Sequence, residues 1–307
     1  MKFQRNVSLK SHTTFRIGGP AKYFYIAKNS SDLIKAVQQA KKRKMRFFIL
    51  AGGSNLLISD KGYQGLVIKI KNQNFKAKKN NILSEAGTLL NQLVRLSLQK
   101  NLTGLEWAAG IPGTVGGAVT GNAGAFGRTM ADIVKEVEVL DVKRNKIKQF
   151  KNKDCKFSYR SSIFKRTSHL IILSCQIKLK LGNKQKIKTE IQEHLNYRDK
   201  RHPKEPSAGS VFQNVSIKKL KPEFFKEFPQ AKKAVKENVL PVAFLIDQCD
   251  LKGKKIGRVQ ISQKHPNFII NLGGASSQDV IKLIDLVKKE VNKKFKIKLK
   301  EEIIKLD

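Results

Sequence analysis

The sequence predicts a mixed α+β protein of two domains, and three observations carry that prediction. Its 307 residues are enough for two cores. Apolar residues recur at helical spacing in some segments and alternate or run together in others. One glycine-rich, almost uncharged stretch interrupts a chain that is otherwise 28% charged.

Taken in order, Ser30 or Ser31 is expected to cap a helix with Leu33, Val37 and Ala40 at helical spacing, closing in Lys41-Lys42-Arg43-Lys44, a basic last turn that suits the helix dipole. Phe47-Phe48-Ile49-Leu50 reads as a short buried strand that stops at Ala51-Gly52-Gly53-Ser54-Asn55, and Leu66-Val67-Ile68 is a second apolar run. Thr88 is expected to open a helix with Leu89, Leu93 and Leu96 on one row and Leu90, Val94 and Leu98 on the next. Val137 and Val139, then Ile177, Leu179 and Leu181, alternate as strands do. A polar helix runs from about Gly182 to Arg201, and Lys204-Glu205-Pro206-Ser207-Ala208-Gly209 reads as a loop. Ser276-Ser277-Gln278-Asp279 has capping-box spacing and starts the last helix. Alternation of Phe295, Ile297 and Leu299 predicts a closing strand. These elements predict one domain over 1–185, with lobes of about 1–70 and 71–185, and a second over 186–307 whose last strand returns to the site.

Composition excludes several classes. Apolar residues make up 40% of the chain, a globular proportion. The start, Met1-Lys2-Phe3-Gln4-Arg5-Asn6, has no apolar core of a secretory signal, and no apolar run is long enough to span a bilayer, so a soluble, cytoplasmic protein without membrane insertion is expected. Cys155, Cys175 and Cys249 are widely spaced and read as free thiols. The five histidines show no metal-ligand spacing, so no metal centre is expected and redox chemistry would need an organic cofactor. The net charge of +38 is spread along the whole chain with no basic arm, and the phenylalanines sit in apolar segments. That pattern reads as surface composition, and no specific nucleic-acid partner is expected. A monomer is expected.

Between 102 and 127 the only charged residue is Glu106, while Gly104, Gly110, Gly113, Gly116, Gly117, Gly121, Gly124 and Gly127 are interleaved with Trp107, Ile111, Val115, Val119 and Phe126. This points to a packed, tightly turning segment where backbone approaches something closely. Glycine amides can cradle phosphate, yet the sequence has no GxG, and Asn122-Ala123 stands where a P-loop would need Lys-Ser/Thr. On spacing alone, a phosphate-bearing ligand and structural turns explain the two glycine-rich loops equally well.

Thr14-Phe15-Arg16-Ile17-Gly18-Gly19, Ala51-Gly52-Gly53-Ser54-Asn55-Leu56-Leu57, Gly110-Ile111-Pro112-Gly113-Thr114-Val115-Gly116-Gly117-Ala118, Asn122-Ala123-Gly124-Ala125 and Phe157-Ser158-Tyr159-Arg160-Ser161-Ser162 resemble, in order, the flavin half of UDP-N-acetylenolpyruvoylglucosamine reductases. Ser207-Ala208-Gly209-Ser210-Val211-Phe212-Gln213-Asn214, Leu251-Lys252-Gly253, His265-Pro266-Asn267-Phe268 and Leu299-Lys300-Glu301-Glu302-Ile303 resemble the substrate half. The matches span about 12–303, and the loop around Gly113 is the most specific of them. The resemblance implies an α+β fold: a two-lobed FAD-binding domain of the vanillyl-alcohol-oxidase type followed by a smaller α/β substrate-binding domain. The absence of extra length around Arg198 resembles the shorter form of the family, without a tyrosine-bearing loop.

The activity implied is reduction of UDP-N-acetylglucosamine enolpyruvate to UDP-N-acetylmuramate, with NADPH as reductant and FAD bound non-covalently. FAD would rest on Gly52, Gly53, Ser54, Asn55, Leu56, Gly110, Ile111, Pro112, Gly113, Thr114, Gly116, Gly117, Asn122, Ala123 and Gly124. Hydride addition to the β carbon of the enolpyruvyl group builds charge on its carboxylate, which fixed donors stabilise. The resemblance assigns Arg160 as a permanent cation there, Glu302 as a protonated acid and Ser210 as the proton donor to the α carbon. Periodicity alone cannot choose between Glu301 and Glu302; position in the motif selects Glu302. Tyr159, Arg198, Arg201, Asn214 and Lys252 are implied for binding the nucleotide sugar. Two departures, Lys300 and the end at Asp307, touch none of these positions.

Overall fold

The computed structural model describes residues 1–307, which divide into two units. The first comprises Met1–Val7, Ala21–Gly52 and Gln64–Lys200; the second comprises Ser8–Pro20, Gly53–Tyr63 and Arg201–Asp307. The chain therefore enters the second unit twice before settling there, and the division falls at 200/201, later than the expected 185/186. The physical reason is that the helix Lys184–Arg201 is anchored to the first unit: Ile187 is buried, and Arg198 Nε donates to the Ala109 carbonyl at 2.8 Å.

Two sheets build the first unit. One orders its strands Gln4–Ser8, Pro20–Ala27, Tyr63–Ile70 and Phe47–Leu50, the last two parallel. The other is antiparallel and orders Lys146–Lys151, Val134–Asp141, Leu170–Lys178, Asn81–Glu85 and Phe75–Lys78. Helix Ser30–Lys42 buries Leu33, Ala36, Val37 and Ala40, one apolar stripe at the expected spacing. Its cap is Asn29, whose extended backbone lets the side chain accept from Asp32 N at 2.8 Å, while the Ser30 hydroxyl turns to Glu85. Helix Leu90–Gln99 likewise starts after Leu89, whose N–H is held by the Gln92 side chain at 3.0 Å; Thr88 points to the Asn74 carbonyl instead of capping. The apolar residues of the glycine-rich segment, Trp107, Val115 and Val119 among them, join the core of this unit.

In the second unit, Ser207–Ser210, Phe268–Asn271, Val259–Ile261 and Lys255–Ile256 form a four-stranded antiparallel sheet covered by helix Ser277–Phe295. The expected loop over 204–209 therefore ends in a strand. Ser276 caps the long helix as its spacing predicts, accepting from Asp279 N at 3.0 Å, and Asp60 receives the Ser277 N–H at 2.8 Å. The predicted strand through Phe295, Ile297 and Leu299 does not form. Phe295 is the last helical residue, Lys296 turns the chain in left-handed conformation at φ 56°, and Ile297 and Leu299 pack into the core without a ladder. The closing strand is Ile304–Leu306, parallel to Leu56–Ile58.

Candidate active site

In the first unit the expected cofactor loops meet at Gly52 and Gly113. A Cβ built on Gly52 would lie 2.6 Å from the Gly113 Cα, so two backbones touch where no side chain fits. The N–H groups of Gly52 and Gly113 find no acceptor within the protein. Two buried-side amides of the same loop are spent locally, Val115 N on the Thr88 carbonyl and Gly116 N on the Ala86 carbonyl, both at 2.9 Å. Gly117 differs from its neighbours: it is exposed, and a Cβ there would meet Ala51 Cβ at 3.6 Å, an ordinary contact. Protein packing therefore does not require glycine at 117. A backbone cradle with open amides, beside a glycine that packing leaves unexplained, fits the diphosphate of FAD.

Several implied cofactor residues serve the frame. Thr114 caps the short helix Val115–Gly121 and is buried. Asn122, at φ 45°, donates to the Ser158 carbonyl at 3.0 Å and accepts from Ala131 N at 3.0 Å, so both ends of its amide are committed. Ala123 N returns to the Ala118 carbonyl, and a Cβ on Gly124 would strike the Arg128 carbonyl at 2.5 Å. Residues 122–124 thus shape the turn and carry no side chain directed at a ligand.

Asn122 also fixes Arg160. The turn Ser158-Tyr159-Arg160-Ser161 is closed by reciprocal Ser158–Ser161 hydrogen bonds of 3.0 and 3.1 Å, and Arg160 adopts a left-handed φ of 53°. A β-carbon-bearing residue in that region is uncommon and is held there by its surroundings. Its guanidinium lies 5.4 Å from the centre of the half-exposed Tyr159 ring, a cation–π pair. Arg198, expected at the substrate, is spent on the protein: besides Ala109, it donates Nη2 to the Trp107 carbonyl at 3.3 Å and sits 5.4 Å from the Phe126 ring centre.

The second unit gathers the other named residues. Gly209 takes φ 76° with nothing within 4 Å of a Cβ, and the register shifts between Ser207 and Ser210. This bulge interrupts the ladder immediately before Ser210 at the strand end. Buried Asn267 clamps the next residues, accepting from Phe212 N at 3.0 Å and donating to the Phe212 carbonyl at 2.9 Å, while Val211 N donates to the Asn267 carbonyl. Glu302 N donates to the Val211 carbonyl at 2.7 Å, which brings the Glu302 backbone beside the segment carrying Ser210. Asn55 Nδ2 holds the Glu302 carbonyl at 3.2 Å, and Leu56 begins the strand paired with Ile304–Leu306.

Glu301 pairs with Lys288 and Lys305; burial alone would raise its carboxyl, but these lysine hydrogen bonds outweigh it and hold it below the ordinary value. A carboxyl held ionised in that way is a poor proton donor. The His265 pKa is lowered first by burial and also by the charges of Arg201 and Lys252, against a backbone hydrogen bond that raises it. Lys252 also pairs with Asp247 at 2.6 Å, and Asn214 Oδ1 accepts from Val242 N at 3.2 Å.

Two contributors carry no sequence signal strong enough to single them out. Asn267 lies within His265-Pro266-Asn267-Phe268, and the resemblance implies no role for it. Lys69 closes the apolar run Leu66-Val67-Ile68, and its Nζ donates to the Ala51 carbonyl at 2.6 Å.

Residues 21–150 match an FAD binding domain, and 201–306 match the C-terminal domain of UDP-N-acetylenolpyruvoylglucosamine reductase. Fold and site together define a two-domain flavin-dependent oxidoreductase. The chain is 38% identical over 304 residues to the UDP-N-acetylenolpyruvoylglucosamine reductase of Caldanaerobacter subterraneus subsp. tengcongensis, spanning 98% of this chain and 93% of that protein. It is 36% identical over 307 residues to that of Prochlorococcus marinus, spanning 99% and 97%. The crystal structure of UDP-N-acetylenolpyruvylglucosamine reductase from Thermus caldophilus matches with a TM-score of 0.81 at 31% identity over 100% of both chains. The chain belongs to the UDP-N-acetylenolpyruvoylglucosamine reductase family.

Proposed function

We infer that this protein reduces UDP-N-acetylglucosamine enolpyruvate to UDP-N-acetylmuramate, with NADPH as the source of electrons and FAD as their carrier. The observation that carries the reading is family membership across 98% of the chain, with both family domains present. Once bound and reduced by NADPH, the flavin would supply the hydride for the β carbon of the enolpyruvyl group. Arg160 offers a permanent cation to the substrate carboxylate as charge builds there. Glu302, on the residue next to the ionised Glu301, donates a hydrogen bond to the same group. Ser210 delivers the proton to the α carbon from a strand end whose backbone is shaped by the Gly209 bulge and, at Phe212, by the Asn267 clamp. Arg201 and Lys252, which share the surroundings of His265, face the diphosphate of the nucleotide sugar, with Tyr159 and Asn214 as further contacts. Arg198 acts on the loop 107–110 instead of the substrate. No helix is long and apolar enough to cross a membrane, and the three cysteines are free thiols; cytoplasmic residence and a monomeric state belong to this proposal.

The test is anaerobic. FAD-loaded protein should bleach with NADPH and regain its flavin band on addition of UDP-N-acetylglucosamine enolpyruvate, with UDP-N-acetylmuramate identified by mass. Bleaching without recovery would point to a flavin oxidoreductase acting on another substrate.

A further inference from the structure

Lys69 is an unusual residue for its place. It lies in the strand Tyr63–Ile70 between buried Ile68 and Ile70, opposite Leu50 in the parallel ladder. The bland account of a lysine here is a stem packed along apolar surface with its head in water. The head instead turns onto the Ala51 carbonyl at 2.6 Å. No carboxylate pairs with it: burial first, and then the like charge of Lys71, lower its pKa to about 8. A half-buried cation without a counter-ion is unfavourable unless an anion completes it.

The bonded carbonyl specifies where that anion belongs. A trans peptide is planar, with its C=O and N–H pointing in opposite directions. Holding the Ala51 carbonyl from one side therefore turns the Gly52 N–H to the other, where it has no protein acceptor and where Gly52 touches Gly113. A charge-assisted bond to the carbonyl also polarises the peptide and strengthens its N–H as a donor.

We propose that Lys69 is a positioning residue for the flavin diphosphate: through the Ala51–Gly52 peptide it aims and polarises the Gly52 amide of the cradle. This rests on the reading that FAD binds at the loops 52–55 and 110–117. Titratable neighbours are sparse. The adjacent strand Phe47–Leu50, the Ala51-Gly52 turn and the helix Val115–Gly121 contain none; Lys71 follows on the same chain; the strand Pro20–Ala27 on the other side carries Lys22, Tyr23 and Tyr25. A bound diphosphate raises the Lys69 pKa, so binding is favoured by the protonated form. Affinity for FAD should be full below about pH 8 and fall as pH rises beyond it.

Full-length protein stripped of flavin is titrated with FAD and, in parallel, with riboflavin, which lacks phosphate, across that pH range. For wild type we expect FAD affinity to decline above about pH 8 and riboflavin affinity to stay level. Lys69→Met should weaken FAD about ten- to a hundredfold, the range for a hydrogen bond to a charged group, and abolish the decline. Riboflavin binding by that variant should be unchanged. Lys69→Arg, charged at every pH used, should restore FAD affinity without the decline. The inference is overturned if wild-type FAD affinity is flat in pH, or if Lys69→Met binds FAD normally or loses both ligands equally. Should Lys69→Met not fold, the wild-type and Lys69→Arg pH profiles decide alone. Failure of wild type to bind FAD at any pH would instead refute the cofactor reading beneath it.

Discussion

Gly117 offers a clean separation of ligand effects from folding effects. Its ideal Cβ would sit 3.6 Å from Ala51 Cβ and 3.7 Å from Thr114 Oγ1, both ordinary contacts, and the residue is exposed within the helix Val115–Gly121. Gly117→Ala should therefore leave the flavin-free protein folded. Alanine is favoured over glycine in a helix by about 0.8–1 kcal/mol, so its melting temperature should stay level or rise by about 2–4 °C. If the diphosphate lies against this face, the added methyl group displaces it by about an ångström and breaks charge-assisted bonds worth about 1.5–3 kcal/mol each. That corresponds to a loss of about ten- to a hundredfold in FAD affinity, and Gly117→Val should lose more. Gly52→Ala is the contrast, because its Cβ would stand 2.6 Å from the Gly113 Cα and the backbones must part. That variant should lose stability and flavin together. Melting curves of the flavin-free proteins and FAD titrations read the two effects separately. A folded Gly117→Ala protein with unchanged FAD affinity would remove Gly117 from the cofactor site, and a melting temperature lowered as in Gly52→Ala would show that packing, after all, demands glycine there.

Four further outcomes follow from the site. Ser210→Ala should leave flavin reduction by NADPH near normal and slow reoxidation by substrate about 10²–10⁴-fold, the usual worth of one general acid; equal slowing of both half-reactions in stopped flow would cancel its assignment as proton donor. Glu302→Gln should slow reoxidation while leaving the melting profile intact. Glu301→Gln should do the reverse: the lysine pairs stabilise above the ordinary glutamate range and are lost as pH falls through its depressed pKa, so the variant should melt slightly lower at neutral pH and converge with wild type in acid. Arg198→Met should weaken FAD more than it raises the KM for the nucleotide sugar, since it frees the Trp107 and Ala109 carbonyls; a raised KM with unchanged FAD affinity would return Arg198 to the substrate.

Much of this was legible in the sequence, for identifiable reasons. Helix positions followed from periodicity because a one-sided apolar stripe has few other ways to be buried, as in Ser30–Lys42 and Ser277–Phe295. Caps were less legible: Asn29, Ser30 and Ser31 can all cap, and only the extended backbone at Asn29 decides. The false strand at Phe295 arose because Phe295, Ile297 and Leu299 are all buried, as alternation implies, but through a helix end and an irregular segment that share one core. The side of the division on which the helix Lys184–Arg201 falls was not legible, because a polar helix shows no sign of its partner. What holds Lys184–Arg201 to the first unit includes Ile187, Ile191 against its core, the His194–Phe126 stack and the polar head of Arg198.

Site residues divide along the same physical line. A motif specifies which side chains are present, whereas their roles depend on which donors and acceptors the fold has already used. Asn122 and Arg198 look like ligand contacts in sequence and are consumed by backbone carbonyls and amides. Glu301 and Glu302 are chemically identical neighbours, and pattern does not show that Lys288, distant in sequence, and Lys305, four residues on, both pair with Glu301. Lys69 is the converse case: no spacing rule singles out one of so many lysines, and only its bond to Ala51 ties it to the cradle. In a chain with a net charge of +38, an individual cation acquires meaning from its burial and its partner, which pattern reading cannot supply.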